Sequence, residues 1–172
     1  MAEKKGPLEI ERKFLIRKPA EEVLKQHSDR HVDITQIYLL SGPEMSSRRI
    51  RLCDWEDGPV WTYTEKERIS GRSRIEREQV ITSDQFAAYL REQDSHRRPI
   101  QKTRWFVPYA GHTLEIDVFP FWEHQAFCEA ELQEENEELL LPDWIEVLRE
   151  VTENDNYTNS SLALHIPPED EA

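Results

Sequence analysis

The chain has 172 residues, which is enough for a single domain with a sizeable hydrophobic core. Acidic residues outnumber basic ones by 35 to 22, so the formal net charge is -13. This charge argues against broad binding to nucleic acid or to anionic membranes, because both need a basic surface. No apolar run is long enough to span a membrane, and no segment has the pattern of a signal peptide.

The two cysteines, Cys53 and Cys128, are too few for a disulfide framework. Each is expected to be a small, half-buried strand residue. This cysteine usage is typical of an intracellular protein, and the sequence therefore predicts a cytoplasmic location.

The first predicted element, after a loose lead-in at residues 1–7, is a strand at residues 8–16. Glu9, Glu11 and Lys13 alternate along it, so a period of two places all three side chains on one face. Like charges two residues apart repel one another unless something lies between them. A divalent cation bound by the carboxylates and an anion bound by the lysine would relieve this repulsion.

Seven further strands are predicted by alternation and by the turns between them, such as Asp57-Gly58-Pro59 and Gly111-His112. The other turns are expected at Ser41-Gly42-Pro43 and at Ile69-Ser70-Gly71. The strands are expected at residues 34–40, 47–53, 60–66, 72–81, 100–107, 112–119 and 126–132.

Three helices and a helical turn are predicted between or after these strands. Pro19 begins the first helix, and Thr82 with Gln85 forms a capping box before the second. Pro142 is expected to begin a third helix that carries Trp144, Ile145 and Leu148, and residues 159–165 are expected to form a helical turn.

Two segments are predicted to lack regular structure. The acidic stretch at residues 134–138 is predicted to be a solvated loop. Residues 166–172 are predicted to be a flexible tail, so the core of the single domain (1–172) is expected to cover about residues 8–165.

Nearly every predicted strand has a charged face, and the charges are sorted by sign. Some strands are cationic, with Arg49 and Arg51 as one example, whereas others are anionic, with Glu129 and Glu131 as another. Alternating charge is also what the solvent-exposed face of an antiparallel sheet presents, and that remains the alternative for any single strand. Sorting by sign across all the strands favours an anion site beside a cation site.

The pattern predicts an α+β, mainly β protein built on a closed, eight-stranded antiparallel barrel, because closure removes exposed strand edges. The faces opposite the charges are partly apolar, as in Leu114, Ile116 and Val118, and would be covered by the few helices. The charged faces would therefore line the barrel interior. A lumen of mixed charge cannot pack dry, and it would hold water, metal and an anion.

Arginine and lysine are the natural partners of phosphate oxygens, and carboxylates hold Mg²⁺ or Mn²⁺. Such an interior could transfer a phosphoryl group to water. Other chemistries fit less well, since the sequence has no glycine-rich phosphate loop, no zinc-type spacing of Cys and His, and no nucleophile-elbow serine.

The ordered motifs resemble the CYTH superfamily, the triphosphate tunnel metalloenzymes. Glu9-Ile10-Glu11-Arg12-Lys13 matches the ExExK signature, and the resemblance continues through Arg49-Ile50-Arg51, Lys102-Thr103-Arg104 and Glu129-Ala130-Glu131 to Tyr157. It therefore spans nearly the whole chain. It implies a triphosphate-binding tunnel that needs a divalent metal, and a C-terminal segment from Tyr157 onward that plugs or gates one mouth.

The resemblance also implies roles for individual side chains. The expected catalytic residues are Glu11, Lys13, Glu76 and Glu78. The expected substrate-binding residues are Lys13, Arg49, Arg51, Lys66, Arg74, Lys102 and Arg104. The expected metal ligands, for Mg²⁺ or Mn²⁺, are Glu9, Glu11, Glu115, Asp117, Glu129 and Glu131.

The sequence departs from the family pattern where Glu67 follows the lysine of the fourth strand and where Ala130 replaces a branched residue. The expected activity is hydrolysis of inorganic tripolyphosphate. The alternatives are a thiamine or nucleoside triphosphate hydrolase, a class IV-type adenylate cyclase, and a non-catalytic polyphosphate or nucleotide sensor. The expected partner is a small triphosphate, with no nucleic acid or membrane, and the protein is expected to be a monomer or homodimer.

Overall fold

A computed structural model describes residues 8–41, 46–69 and 73–170. Over this part of the chain it contains nine strands: β1 (Leu8–Arg17), β2 (Arg30–Leu39), β3 (Ser46–Trp55), β4 (Gly58–Arg68), β5 (Ser73–Ile81), β6 (Ile100–Tyr109), β7 (His112–Val118), β8 (Gln125–Leu132) and β9 (Val147–Glu150). The helices in the same ranges are α1 (Glu21–His27), α2 (Ser83–Tyr89) and α3 (Asn159–Leu162).

The eight predicted strands are confirmed, each within a few residues of its expected bounds. Helix α2 begins with the predicted capping box, in which Thr82 and Gln85 exchange side-chain and backbone hydrogen bonds. The lead-in at 1–7 and parts of the turns expected at 41–43 and 69–71, together with Arg72, lie outside the described residues.

Strands β1 to β8 form the closed antiparallel barrel that the sequence predicts, in the order β1-β5-β4-β3-β2-β6-β7-β8 and back to β1. Strand β1 pairs with β8 along most of its length, but it pairs with β5 only from Leu8 to Ile10. Beyond that point the short strand β9 pairs with the same edge of β1, between Phe14 and Ile16. The barrel is therefore splayed at this seam, and β9 occupies the edge that β5 leaves.

The outward side chains are largely apolar and are covered by the remaining elements. Leu24 of α1 packs in one cluster with Trp105, Leu114 and Ile116. Phe86 and Tyr89 of α2 pack against a second cluster, which is built on strands β2 to β5. Because helices cover this surface, the polar faces of the strands are turned into the barrel, as predicted. None of the helices in the described ranges is long and apolar enough to cross a membrane.

The prediction of a helix that begins at Pro142 is wrong. Residues 142–145 form a turn, and Leu148 lies in strand β9 rather than on a helix. The free edge of β1 explains the difference, because backbone groups from Phe14 to Ile16 need hydrogen-bond partners that β5 does not reach. Ile145 and Trp144 still cover the barrel, as expected, but from an irregular segment.

The C-terminal segment closes much of one end of the barrel. Tyr157, Leu162 and Ala163 are buried in a cluster with Phe119 and Phe127. Phe127 lies in β8, and Phe119 directly follows β7. The helical turn predicted near residue 159 is confirmed as α3. At the other end, Val32, Cys53 and Phe106 form a separate buried cluster.

The last described residues, beyond the predicted core limit near residue 165, contact the barrel and strand β9. The Trp122 indole donates to the carbonyl oxygen of Pro167 at 3.1 Å. The Glu169 carboxylate accepts from backbone N–H groups at 124 and 125, and the Asp170 carboxylate pairs with Arg149. Polar contacts with the rest of the protein thus continue as far as Asp170, and the flexibility of this tail stays a prediction.

Candidate active site

A cavity of ~630 Å³ lies inside the barrel. It is lined by all of the predicted site residues except Lys102 and Asp117. Those lining it are Glu9, Glu11, Lys13, Arg49, Arg51, Lys66, Arg74, Glu76, Glu78, Arg104, Glu115, Glu129 and Glu131. The lining follows from strand geometry, because alternate residues of each strand point to the same side of the barrel wall.

The two signs of charge occupy different parts of the wall. Strands β1, β8 and β7 are neighbours, and they contribute carboxylates such as Glu11, Glu129 and Glu115. Strands β3 and β4 are also neighbours, and they contribute Arg49 and Lys66 from the other side. Much of the sorting by sign is therefore a separation in space, with Lys13 on β1 and Glu76 and Glu78 on β5 as exceptions.

Ion pairs join the two parts of the wall where they approach each other. The Lys66 Nζ lies 3.3 Å from Glu9 Oε2, and Arg74 donates to Glu11 Oε1 at 3.0 Å. Lys66 Nζ is also 4.0 Å from Glu76. Strand β5 lies between β4 and β1 in the closed barrel, so the contacts of Glu9 and Glu11 cross the seam at which the barrel closes. The contact of Lys66 with Glu76 joins the paired strands β4 and β5 instead.

Three carboxylates on β1 and β8 face one another with an excess of negative charge. Burial raises the pKa values of Glu9 and Glu11, and nearby carboxylates raise them further against the opposing charge of Lys66. Burial also raises the pKa of Glu131, with Glu9 and Glu11 adding to the effect. Carboxylates that raise one another's pKa are held together in the ionised form by a bound cation.

Glu129 differs from these three because a lysine lies against it. Burial raises its pKa, but the ammonium of Lys13, 3.2 Å away, outweighs burial together with Arg104 and Lys102 and lowers the pKa of Glu129 to about 2. Glu129 is thus fully ionised at neutral pH. The same lysine is 4.0 Å from the centre of the Phe127 ring, which further fixes its position.

The donor set suits a hard divalent cation, although the side chains are not arranged around one. Among the described residues, no group of three or more His, Cys, Asp or Glu side chains is placed to hold an ion. However, Glu9 Oε2 is buried without a hydrogen bond, despite its ion pair with Lys66. Carboxylate oxygens in this setting, with Glu11 and Glu131 beside them, are of the type that Mg²⁺ and Mn²⁺ prefer.

Lys102 and Asp117 lie behind the cavity wall rather than on it. The Asp117 carboxylate accepts from Lys102 Nζ at 2.8 Å and from two nitrogens of Arg104 at 2.8 and 2.9 Å. Burial alone would raise the pKa of Asp117, but the two cations lower it far below its ordinary range. Asp117 therefore holds Arg104 in place, and Arg104 reaches the cavity and also pairs with Glu115 at 3.0 Å.

Two uncharged side chains on β2, Gln36 and Tyr38, are buried beside the cationic residues, and neither has an expected role from the sequence. Arg51 Nε donates to Gln36 Oε1 at 2.9 Å, and Gln36 Nε2 donates to the Tyr38 hydroxyl at 2.9 Å. Tyr38 lines the cavity. Charge patterning could not find these two residues, because neither side chain is charged.

Other cavity residues come from outside the barrel strands. They include Arg97 from the segment before β6, and Thr152 and Asn159 from the C-terminal segment. Asn159 accepts from Lys102 Nζ at 3.3 Å, and Thr152 accepts from the backbone N–H of Lys13 at 3.0 Å. Asn159 lies in the segment from Tyr157 onward that the resemblance expects at one mouth, whereas no periodic pattern or motif marks Arg97 and Thr152.

The fold and its lining define a closed antiparallel β-barrel with a charged tunnel. No protein-family model and no curated protein matches this chain. Among solved structures it is similar to the inorganic triphosphatase NE1496, with 28% sequence identity and a TM-score of 0.57, over 93% of this chain and 97% of that one. The resemblance to the triphosphate tunnel superfamily is thereby confirmed at the level of the fold.

More distant structures share the fold alone. The PH1012 protein from Pyrococcus horikoshii is 16% identical, with a TM-score of 0.55 over 74% of this chain and 80% of its own. A conserved protein from Pyrococcus furiosus is 21% identical, with a TM-score of 0.52 over 70% and 77% of the two chains.

Proposed function

We propose that this protein is a divalent-metal-dependent triphosphatase that hydrolyses inorganic tripolyphosphate. The observation that carries the proposal is the cavity in which a basic wall, with Arg49 and Lys66, faces an acidic wall, with Glu11 and Glu131. The similarity to the inorganic triphosphatase NE1496 over nearly the whole chain supports the same activity.

The basic residues bind the substrate in this proposal. Arg49 and Arg51 are buried, and Lys66 and Arg74 lie nearby on the next two strands. Guanidinium groups bind phosphate oxygens in a bidentate manner, and buried donors bind them more strongly than exposed ones. Arg49 Nε is buried without a hydrogen-bond partner, so the wall holds an unused donor for an anion.

The acidic residues hold the metal and prepare the attacking water. Glu9, Glu11 and Glu131 would hold Mg²⁺ or Mn²⁺, which supplies positive charge to the phosphate oxygens and lowers the pKa of a bound water. Lys13 holds Glu129 ionised, so Glu129 can accept a hydrogen bond from a water molecule in the cavity. Glu76 and Glu78 line the cavity on the strand next to Lys66, and their catalytic roles stay predictions.

The test is phosphate release by the purified protein from tripolyphosphate, ATP and thiamine triphosphate, each with Mg²⁺, Mn²⁺ or a chelator. We expect release from tripolyphosphate that needs metal and is faster than release from the other two. Faster release from ATP or thiamine triphosphate would reassign the substrate. Formation of cyclic AMP from ATP would instead support a cyclase.

A matched pair of variants separates catalysis from binding. Glu11→Gln should lower turnover about a hundredfold or more, because a single charged group at a reacting centre contributes this much. Binding of tripolyphosphate without metal should persist in this variant. Glu123→Gln, at a carboxylate that is 83% exposed, is the control and should leave both unchanged. Tight binding by wild-type protein without any turnover would favour the sensor.

A further inference from the structure

Arg97 is a cavity residue that comes neither from a barrel strand nor from the motifs noted in the sequence. It follows the 3₁₀ turn after α2 and precedes β6. Its guanidinium adds a cation to the cavity lining from outside the strands β3 to β5, which supply Arg49, Lys66 and Arg74.

The segment that carries Arg97 is fastened on both sides. The backbone N–H of Asp94 donates to the carbonyl oxygen of Tyr38 at 2.9 Å, and the backbone N–H of Arg98 donates to that of Ala163 at 2.9 Å. The segment thus joins the end of β2 to the C-terminal segment that closes this end of the barrel. A side chain on such a segment has a fixed position relative to the tunnel.

A buried carboxylate orients the Arg97 side chain. Asp94 is 7% exposed, and its carboxylate accepts from Arg97 Nη1 and from the backbone N–H of His96. Only one arm of the guanidinium is used in this contact, and Arg97 Nε has no hydrogen-bond partner. The side chain is 28% exposed and lines the cavity, so an anion in the cavity can reach it.

Arg97 also continues a row of cations along one wall. Arg51 is linked through Gln36 to the Tyr38 hydroxyl, and Arg49 and Arg97 both lie close enough to that hydroxyl to oppose the rise in its pKa that burial causes. Arg51 and Arg49 lie opposite Gln36 and Tyr38 on the paired strand β2. The Arg97 segment is bonded to Tyr38 and to Ala163, so the three arginines follow one another toward the end beside the C-terminal segment. Their order matches a linear polyanion, which needs successive cations along its length.

We infer that Arg97 forms an outer subsite that binds the terminal phosphoryl group of a linear inorganic polyphosphate entering beside the C-terminal segment. This inference rests on the proposed function. It makes Arg97 a determinant of chain length, because a short anion seated among Arg49, Arg51 and Lys66 would not extend to it. Asp94 is a positioning residue for Arg97.

The experiment is calorimetric binding of tripolyphosphate and of pyrophosphate, without metal, to wild-type protein, Arg97→Gln, Arg97→Lys and Arg98→Gln. Arg98 is the matched control, because it has the same charge at the next position and is exposed. We expect Arg97→Gln to raise the Kd for tripolyphosphate about tenfold or more, as for loss of a charge-assisted hydrogen bond. Its Kd for pyrophosphate should stay near that of wild-type protein, and Arg97→Lys should recover part of the affinity.

The outcomes are distinguishable. If wild-type protein binds tripolyphosphate and Arg97→Gln binds it equally well, or if Arg98→Gln has the same effect, the outer subsite is wrong while the triphosphatase stands. If Arg97→Gln weakens both anions equally, Arg97 does not sense chain length. If wild-type protein binds neither anion, the proposed function itself fails.

Discussion

The side chains of Lys102 and Asp117 are both fully removed from solvent, and their Nζ and Oδ2 atoms lie 2.8 Å apart. Arg104 shares the same carboxylate, so one anion balances two cations behind the cavity wall. Both cations had been expected to bind substrate and Asp117 to bind metal. In this arrangement the carboxylate is already saturated by protein donors, which leaves it little capacity for a metal ion.

Asp117→Asn should therefore cost about 3–5 kcal/mol in the free energy of unfolding, because it leaves buried cations without their counter-charge. Urea unfolding measures this. Glu146→Gln is the control, since the pair of Glu146 with Arg17 is exposed, and it should cost less than about 1 kcal/mol. Equal effects of the two substitutions would contradict the structural role.

The same pair sets a pH dependence. The folded pKa of Asp117 lies far below its ordinary value, so its contribution to stability is complete above about pH 4 and is lost as the pH falls further. Asp117 itself should cause no change in the stability difference between wild-type protein and Asp117→Asn from pH 6 to pH 8, because this range lies about two units or more above its unfolded pKa. The group to watch is Lys102, because burial lowers its pKa well below the ordinary value and Asp117 opposes that shift. A difference that grows steadily across this range would show that another group titrates with it.

Lys66 lies between Glu9 and Glu76 on the cavity wall, and we expect it to bind phosphate oxygens once substrate enters. Lys66→Gln should raise the Kd for tripolyphosphate, without metal, about tenfold. Lys25→Gln is the control, because Lys25 is 65% exposed in a surface pair with Glu21. Titration calorimetry measures this Kd, and an unchanged value in Lys66→Gln would show that Lys66 does not bind tripolyphosphate.

Glu131 faces Glu9 and Glu11 and is expected to be a metal ligand. Glu131→Gln should raise the Kd for Mn²⁺ about tenfold, as for loss of one carboxylate ligand. Electron paramagnetic resonance of free Mn²⁺ measures this affinity without reference to turnover. Glu123→Gln again serves as the exposed control. Equal Mn²⁺ affinity in the two variants would place the metal elsewhere.

The C-terminal segment should contribute to the stability of the whole barrel. Leu162 is fully buried among Phe119, Phe127 and Tyr157, so Leu162→Ala should cost about 2–5 kcal/mol. Leu164→Ala, at a side chain 49% exposed, should have little effect. Thermal and urea unfolding compare the two, and a neutral Leu162→Ala would mean that the segment packs only loosely on the barrel.

The sequence failed where local pattern and tertiary demand disagreed. Pro142 with Trp144 and Leu148 has the features of a helix start, but the unpaired edge of β1 at Phe14–Ile16 draws the following residues into strand β9. The acidic tail has contacts that its composition does not predict, because Arg149 and the backbone near His124 offer it donors that only the folded barrel presents.

The sequence by itself determined the barrel and most of its lining, because a period of two assigns alternate side chains to opposite faces without knowledge of the fold. Glu9, Glu11 and Lys13 were placed on one face in this way, and the closed sheet put that face inside. Only the tertiary structure decided which charges neutralise one another, as Lys102 does with Asp117. It also decided that Arg97 reaches the cavity, since contacts between distant segments depend on strand order and loop packing, and neither leaves a periodic trace in the sequence.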